Sequence, residues 1–496
     1  MRRILEGLDP EQVFYYFEEI SKIPRGTGNE KEISDYLVSF AIDNRLEVIK
    51  DQFFNVIIKK PASSGYEGLP HVILQGHMDM VCEKNSDSAH DFSKDPIPLK
   101  VDGDIIHTEG TTLGADNGIA LAYMLSVLSS NDLHHPAIEA VFTSGEEGSM
   151  SGACNIDAGH LSGKLMINMD AESEGRLTIS SAGGAAAKFI IDVRLEALPE
   201  GWLGYCIFVK GLKGGHSGAD IHKNRANANK LLARILYELS TETCFKLKSI
   251  SGGNKANAIP RESKAVIFVD PSKESLLLEK ICVWEQMIVK EYEISDPQLH
   301  VVLEPEPNQK QAVGSSVFSE ETKQKLIQCM FLIPDGVQGM SSRIKGLVES
   351  SANLGIVKAD HSEITITVDL RSSEPNKKRY LIHLMKCLAK LLKCVILIRS
   401  DYPGWKYDPD SKLRALFQRV YRDQYGKDPE LKAIHAGLEC GILSEKLSGV
   451  DIVAIGPNIY EAHTPNEHLS IASAKNTYFF LLAVLENMKE LVHENS

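Results

Sequence analysis

Several things are scarce in this sequence, and each scarcity narrows its reading. Cysteine is sparse, nine among 496 residues, and the number is odd. No two stand in C-x-x-C spacing, so neither a zinc ribbon nor a thioredoxin-type site is signalled. Reduced thiols in a reducing cytoplasm are expected, each acting as a small buried hydrophobe. No apolar run approaches the roughly 20 residues needed to cross a bilayer, so no membrane partner is expected. The start, Met1-Arg2-Arg3-Ile4-Leu5-Glu6, lacks the apolar core of a signal peptide. Positive charge is in deficit, with Lys plus Arg at 54 against Asp plus Glu at 67, a net charge of −13. Such a surface repels phosphate backbones, and no nucleic-acid partner is expected.

What remains is an ordinary globular composition, 43% hydrophobic and 24% charged, long enough for two or three domains. The opening segment reads as a helix capped by Asp9, with Pro10 in its first position and Gln12 completing a capping box. Asn29 and Glu32 cap a second helix whose apolar face is Ile33, Tyr36, Leu37 and Phe40. Strand-like runs at 46–49, 55–58, 72–74, 137–143 and 165–169 alternate with a helix at 114–129. A hairpin turns at Val101–Ile105. This pattern predicts an α/β fold with a mostly parallel sheet sandwiched by helices. The texture changes near Ser181-Ala182-Gly183-Gly184. Alternating runs at 188–193, 265–269 and 364–370 then read as half-exposed antiparallel strands, interleaved with helices near 223–239, 274–292 and 376–393. The expected organisation is a first domain over 1–184, an α+β domain inserted over 185–395, and the rest of the first domain over 396–496. The tail carries a strand at 451–455 and a closing helix at 472–491.

Five places carry the chemistry. His77 and Asp79 end the apolar run at 72–74, at the edge where α/β sheets keep their sites. Side chains alternate, so the two share a side, and a carboxylate there can orient a metal-binding imidazole. Asp116 opens a helix after a glycine-rich turn, and taken alone it reads equally as an N-cap. Glu146 and Glu147 adjoin in a loop after a strand; like charges side by side need a cation or a proton unless the turn is simply solvated. Asp170 follows another apolar strand, and His463 lies in Glu461–Glu467 beyond the strand at 451–455. Together these imidazoles and carboxylates suit two zinc-like ions, one carboxylate bridging. Such a pair polarises a carbonyl and activates water, with a spare Glu to move the proton. His134, His135 and His160 are expected to be solvated, as is the Lys-Lys-Arg run at 377–379.

The runs Gly76-His77-Met78-Asp79-Met80-Val81, Leu113-Gly114-Ala115-Asp116-Asn117-Gly118, Ser144-Gly145-Glu146-Glu147-Gly148 and Ile167-Asn168-Met169-Asp170 resemble the co-catalytic zinc exopeptidases. That family includes glutamate carboxypeptidase, acetylornithine deacetylase and bacterial dipeptidases. Within it the chain is similar, over nearly its whole length, to the aminoacyl-histidine (β-alanyl-histidine) dipeptidase branch. The resemblance implies two divalent ions per chain, zinc first, with cobalt or manganese as alternatives. His77 and Asp170 would bind one ion and Glu147 and His463 the other, with Asp116 shared and joined to Asn117 by a cis peptide. Asp79 would orient His77, and Glu146 would be the general base for a hydroxide held between the metals. The insert would be a lid. Its His216, in Gly214–Gly218, would steady the oxyanion, and Asn257 would contact the scissile group. Arg371 would grip the terminal carboxylate, and His435 with Gly437 would form a substrate loop whose glycines let backbone approach the ligand. The implied partner is a small dipeptide with free ends. A tripeptidase, an aminoacylase or another amide hydrolase on the same scaffold stands as the alternative. Oligomeric state stays open between a single chain and a homodimer.

Overall fold

The computed structural model describes residues 3–307 and 316–493. The chain divides into two units. The first comprises Met1–Ser180, Trp405–Ala433 and Leu438–Ser496; the second comprises Ser181–Gly404 and Ile434–Gly437. The two-domain α/β class expected from the sequence is the one observed.

The first unit is built on an eight-stranded sheet in the order Glu47–Lys50, Val56–Lys60, Ile138–Thr143, Val72–His77, Leu165–Asn168, Asp451–Ala454, Arg176–Ser181 and Glu430–Ile434. Ile138–Thr143, Val72–His77, Leu165–Asn168 and Asp451–Ala454 pair in parallel at the centre. The pairs flanking them are antiparallel, so the sheet is mixed rather than mostly parallel. Val72–His77 and Ile138–Thr143 are buried throughout, as strands covered on both faces must be. Helix Ala115–Ser129 is apolar nearly all round and buried over almost its whole length. Each Leu, Ile or Met it buries contributes roughly 1.5–3 kcal/mol.

The second unit is an antiparallel nine-stranded sheet. Gly183–Asp192 and Glu363–Ser372 alternate buried and half-buried positions, the pattern of a sheet with one covered face. Helices Ala228–Glu242, Glu274–Glu291, Glu320–Leu332 and Pro375–Leu392 supply the apolar side chains that share its core.

Several local expectations change. The division falls after Ser180 rather than at 184, and the second unit runs past 395 to Gly404. The reason is pairing: strand Val395–Tyr402 lies antiparallel to Gly183–Asp192. Asp9 does not cap the first helix, Glu11–Ile20; Pro10 holds the cap position and the Asp9 carboxylate pairs with Lys475 at 2.6 Å. Nor does Asn29 cap Lys31–Asp43, which starts after Glu30 without a side-chain cap. His135 is not solvated: burial lowers its basicity, and its Nδ1 lies 2.7 Å from the Pro136 carbonyl. All nine thiols are free, but Cys82, Cys154, Cys244, Cys282 and Cys387 are exposed rather than buried. No helix among the described residues is long and apolar enough to cross a membrane.

Candidate metal centre

The carboxyl ends of the central strands bring together the residues singled out in the first unit. His77 ends Val72–His77 and is buried. Its Nε2 lies 3.1 Å from Asp116 Oδ1 and 3.4 Å from Asp170 Oδ1. Its Nδ1 faces Asp79, 3.1 Å from the carbonyl and 3.5 Å from the carboxylate. Asp116 departs from helical geometry, with φ −81° and ψ 107°, and Gly114 holds the cap position of that helix. Among the described residues the Asp116 carboxylate bonds imidazoles and no backbone N–H, so it is not an N-cap. Its Oδ2 instead lies 3.1 Å from His463 Nε2. The bond from Asp116 to Asn117 is cis. Glu147 Oε1 lies 2.8 Å from the same His463 Nε2.

Asp79 holds more than His77. Its carboxylate accepts the backbone N–H groups of Glu146 and Glu147 at 3.0 and 3.2 Å and the Thr27 hydroxyl at 2.9 Å. It therefore ties the glutamate turn to the histidine strand. Gly145, at φ 63°, makes the sharp entry into that turn.

Three groups of side chains converge closely enough to hold a cation: His77 with Asp116 and Asp170; Asp116 with Glu147 and His463; and His77 with Glu146 and Glu147. Within each, the candidate ligand atoms lie within 4.8 Å of one another. The first two groups share Asp116, one oxygen toward each histidine. Imidazole and carboxylate donors in this number suit zinc, cobalt or manganese.

The electrostatics show the crowding. Burial pushes Glu146 well above the usual carboxylate range, with Asp170, Glu439 and Glu147 adding to the shift. Burial likewise lifts Asp170 to about 6. Burial opposes charge on His77, but Asp170, Asp116 and Asp79 together hold its imidazole well above its ordinary value. Hydrogen bonds to Asp116 and Glu147 carry His463 up to about 11. A divalent cation relieves the same repulsion more strongly and takes neutral imidazole as its ligand.

Other residues of this region had no role assigned from the sequence. Glu467 accepts the backbone N–H groups of Leu113, Gly114 and Asp116 at 2.9, 3.0 and 3.2 Å and so braces the turn that carries Asp116. Arg25 is buried and donates to the carbonyls of Met78, Asp79 and Gly114. Gly114 sits at φ 69°, and a Cβ there would meet Arg25 Nη2 at 2.6 Å. Glu467 lies in a run already noted for His463, which was its only signal. Arg25 carried none beyond a Pro-Arg-Gly turn.

The second unit holds the remaining residues. His216 lies on the two-residue strand Gly215–His216, paired with Ala258–Ile259. Its Nδ1 accepts the N–H groups of Gly218 and Ala219 at 3.2 and 2.9 Å, so in the neutral ring the proton sits on Nε2. Asn257 is exposed, and its carbonyl accepts the Ser217 N–H at 2.9 Å. Arg371 is buried and donates from Nε to Asp369 at 2.8 Å. Among the described residues no hydrogen bond engages its terminal nitrogens. His435 is buried, 2.7 Å from the Ser351 hydroxyl. Burial, reinforced by Arg371 and His216, lowers its imidazole to about 3. The close approach at Gly437 is to a side chain of the protein: a Cβ there would meet the Tyr402 hydroxyl at 2.8 Å.

A family model described as Peptidase family M20/M25/M40 matches residues 73–487. The cytosol non-specific dipeptidase of Escherichia coli is 35% identical over 484 residues, 98% of this chain and 99% of that protein. The crystal structure of an aminoacylhistidine dipeptidase from Vibrio alginolyticus superposes with a TM-score of 0.87 at 35% identity, covering 97% of both chains. An aminopeptidase from Bacillus cereus shares the fold at 17% identity and a TM-score of 0.57, over 97% of this chain and 99% of its own.

Proposed function

This chain belongs to peptidase family M20/M25/M40, and we propose on that premise that it is a cytosolic metal-dependent dipeptidase. It hydrolyses dipeptides with free amino and carboxyl ends, those with a carboxyl-terminal histidine among them. The names of its relatives from Escherichia coli and Vibrio alginolyticus support the activity and its location. The observation that carries the reading is the meeting of His77, Asp116, Asp170, Glu147 and His463, drawn from separate strand ends and loops, in two groups that share Asp116.

In this reading His77, Asp116 and Asp170 hold one ion, and Asp116, Glu147 and His463 hold the other, zinc being the ion the donors suit best. When bound, the ions polarise the scissile carbonyl and make water acidic enough to react near neutral pH. Glu146 accepts the water proton and returns it to the leaving amine. Its raised proton affinity suits both halves of that task. Asp79 keeps the His77 ring and the Glu146 turn in fixed relation. In the second unit, His216 supplies an N–H donor for developing negative charge on the carbonyl oxygen. Arg371 offers its terminal nitrogens to the substrate carboxylate. Asn257 and the loop at His435 and Gly437 complete the substrate-holding set.

A screen of purified protein against dipeptides including β-alanyl-histidine, tripeptides and N-acylated amino acids, with metal content measured alongside, tests the reading. Hydrolysis of unblocked dipeptides by metal-loaded protein is expected. Activity confined to N-blocked amino acids would overturn it.

A further inference from the structure

Glu439 has none of the roles assigned above. It opens helix Glu439–Lys446 in the first unit and is almost wholly buried. Its Oε2 accepts Gln75 Nε2 at 2.7 Å and the Thr143 hydroxyl at 2.5 Å. Gln75 Oε1 accepts Asn168 Nδ2 at 2.6 Å, and Asn168 Oδ1 accepts the Asp170 N–H at 3.2 Å. A continuous belt of hydrogen bonds therefore runs from Glu439 to the backbone of Asp170.

The belt crosses three adjacent parallel strands. Gln75 lies on Val72–His77, Thr143 ends Ile138–Thr143, and Asn168 ends Leu165–Asn168. Each strand delivers a residue of the cluster just beyond its belt position: His77, Glu146 and Asp170 respectively. Side chains alternate along a strand, so Gln75 and His77 share a side. Glu439 Oε1, meanwhile, is sealed from solvent and makes no hydrogen bond. A buried carboxyl with one orphan oxygen is a costly filler for a core. What it supplies is an acceptor that ties two strands at once.

We propose that Glu439 is a positioning residue whose Oε2 ties two of these strands, with the third joined through Gln75 and Asn168, and so fixes the spacing of His77, Glu146 and Asp170 for cation binding. The inference rests on the metal reading of the site and not on the identity of the substrate. Outer-shell partners of metal ligands are typically worth 10–100-fold in affinity or activity.

The test is zinc affinity of the purified full chain, by competition with a chromophoric chelator, beside the thermal midpoint. Glu439→Ala should weaken zinc binding by about 10–100-fold. Glu439→Gln should stay close to wild type, because its amide oxygen accepts both bonds and its NH2 falls where Oε1 already lacks a partner. Thr143→Val removes one donor at nearly constant volume. It should give a smaller loss of the same kind, and it serves if the alanine variant does not fold. Unchanged zinc affinity in the folded variants, with only the thermal midpoint lowered, would make Glu439 purely structural and overturn the proposal. Equal losses in Glu439→Gln and Glu439→Ala would overturn it too, by assigning the effect to charge. Tight zinc binding by a wild-type protein that cuts no dipeptide would sink the substrate reading and leave this inference standing.

Discussion

The two units concentrate charge of opposite sign and solve opposite problems. In the first, carboxylates crowd at the ends of parallel strands, and burial lifts Asp170 to about 6 and Glu439 to about 7. In the second, the polar set is cationic or neutral, and burial beside Arg371 drives His435 down to about 3. The side chains of the first unit suit a cation, and the Arg371 guanidinium of the second suits an anion. Under the proposed function, bond cleavage would fall to the first and grip on the substrate to the second. That contrast also says what kind of damage each substitution should do.

The largest effect belongs to the first unit. Glu146→Ala should cut kcat by about 10²–10⁴, the usual worth of a positioned acid–base group, with metal content unchanged. Loss of metal in that variant would move Glu146 from proton carrier to ligand. An intermediate effect falls on the second unit. Arg371→Met should raise KM by about 10–100-fold, from the roughly 1.5–3 kcal/mol of a charged hydrogen bond, and change kcat less. A kcat loss matching that of Glu146→Ala would erase the distinction between the units. The last effect, slight near neutral pH, concerns stability alone. The folded His435 takes up its proton near 3, against about 6.5 in an unfolded chain. The unfolded state thus binds more protons below about 6.5, and stability falls as pH drops from there toward 3. The thermal midpoint of wild type should decline over that window more steeply than that of His435→Gln.

How much of this was readable from sequence followed the range of the interaction. The buried strands showed as apolar runs, and the residues ending them stood out because His, Asp and Glu are rare at such positions. The order of the strands left no local trace. Antiparallel pairs beside a parallel centre are a matter of chain topology, which the alternation of helix and strand does not specify. The cap expected at Asp9 failed for the same reason, since its carboxylate is taken by Lys475, far along the chain. Arg25 and Glu467 were invisible because they bind backbone groups, and any residue type presents those alike. Gln75 was the missed clue: an amide inside an otherwise apolar strand asks for a buried partner, and Glu439 is that partner.

The account stands on one convergence, and anomalous diffraction from crystals grown with zinc measures it directly. Two peaks are predicted, one at about 2.0–2.2 Å from His77 and Asp170, the other at the same range from Glu147 and His463, with Asp116 bound to both. A single peak, or zinc held by other residues, would contradict it.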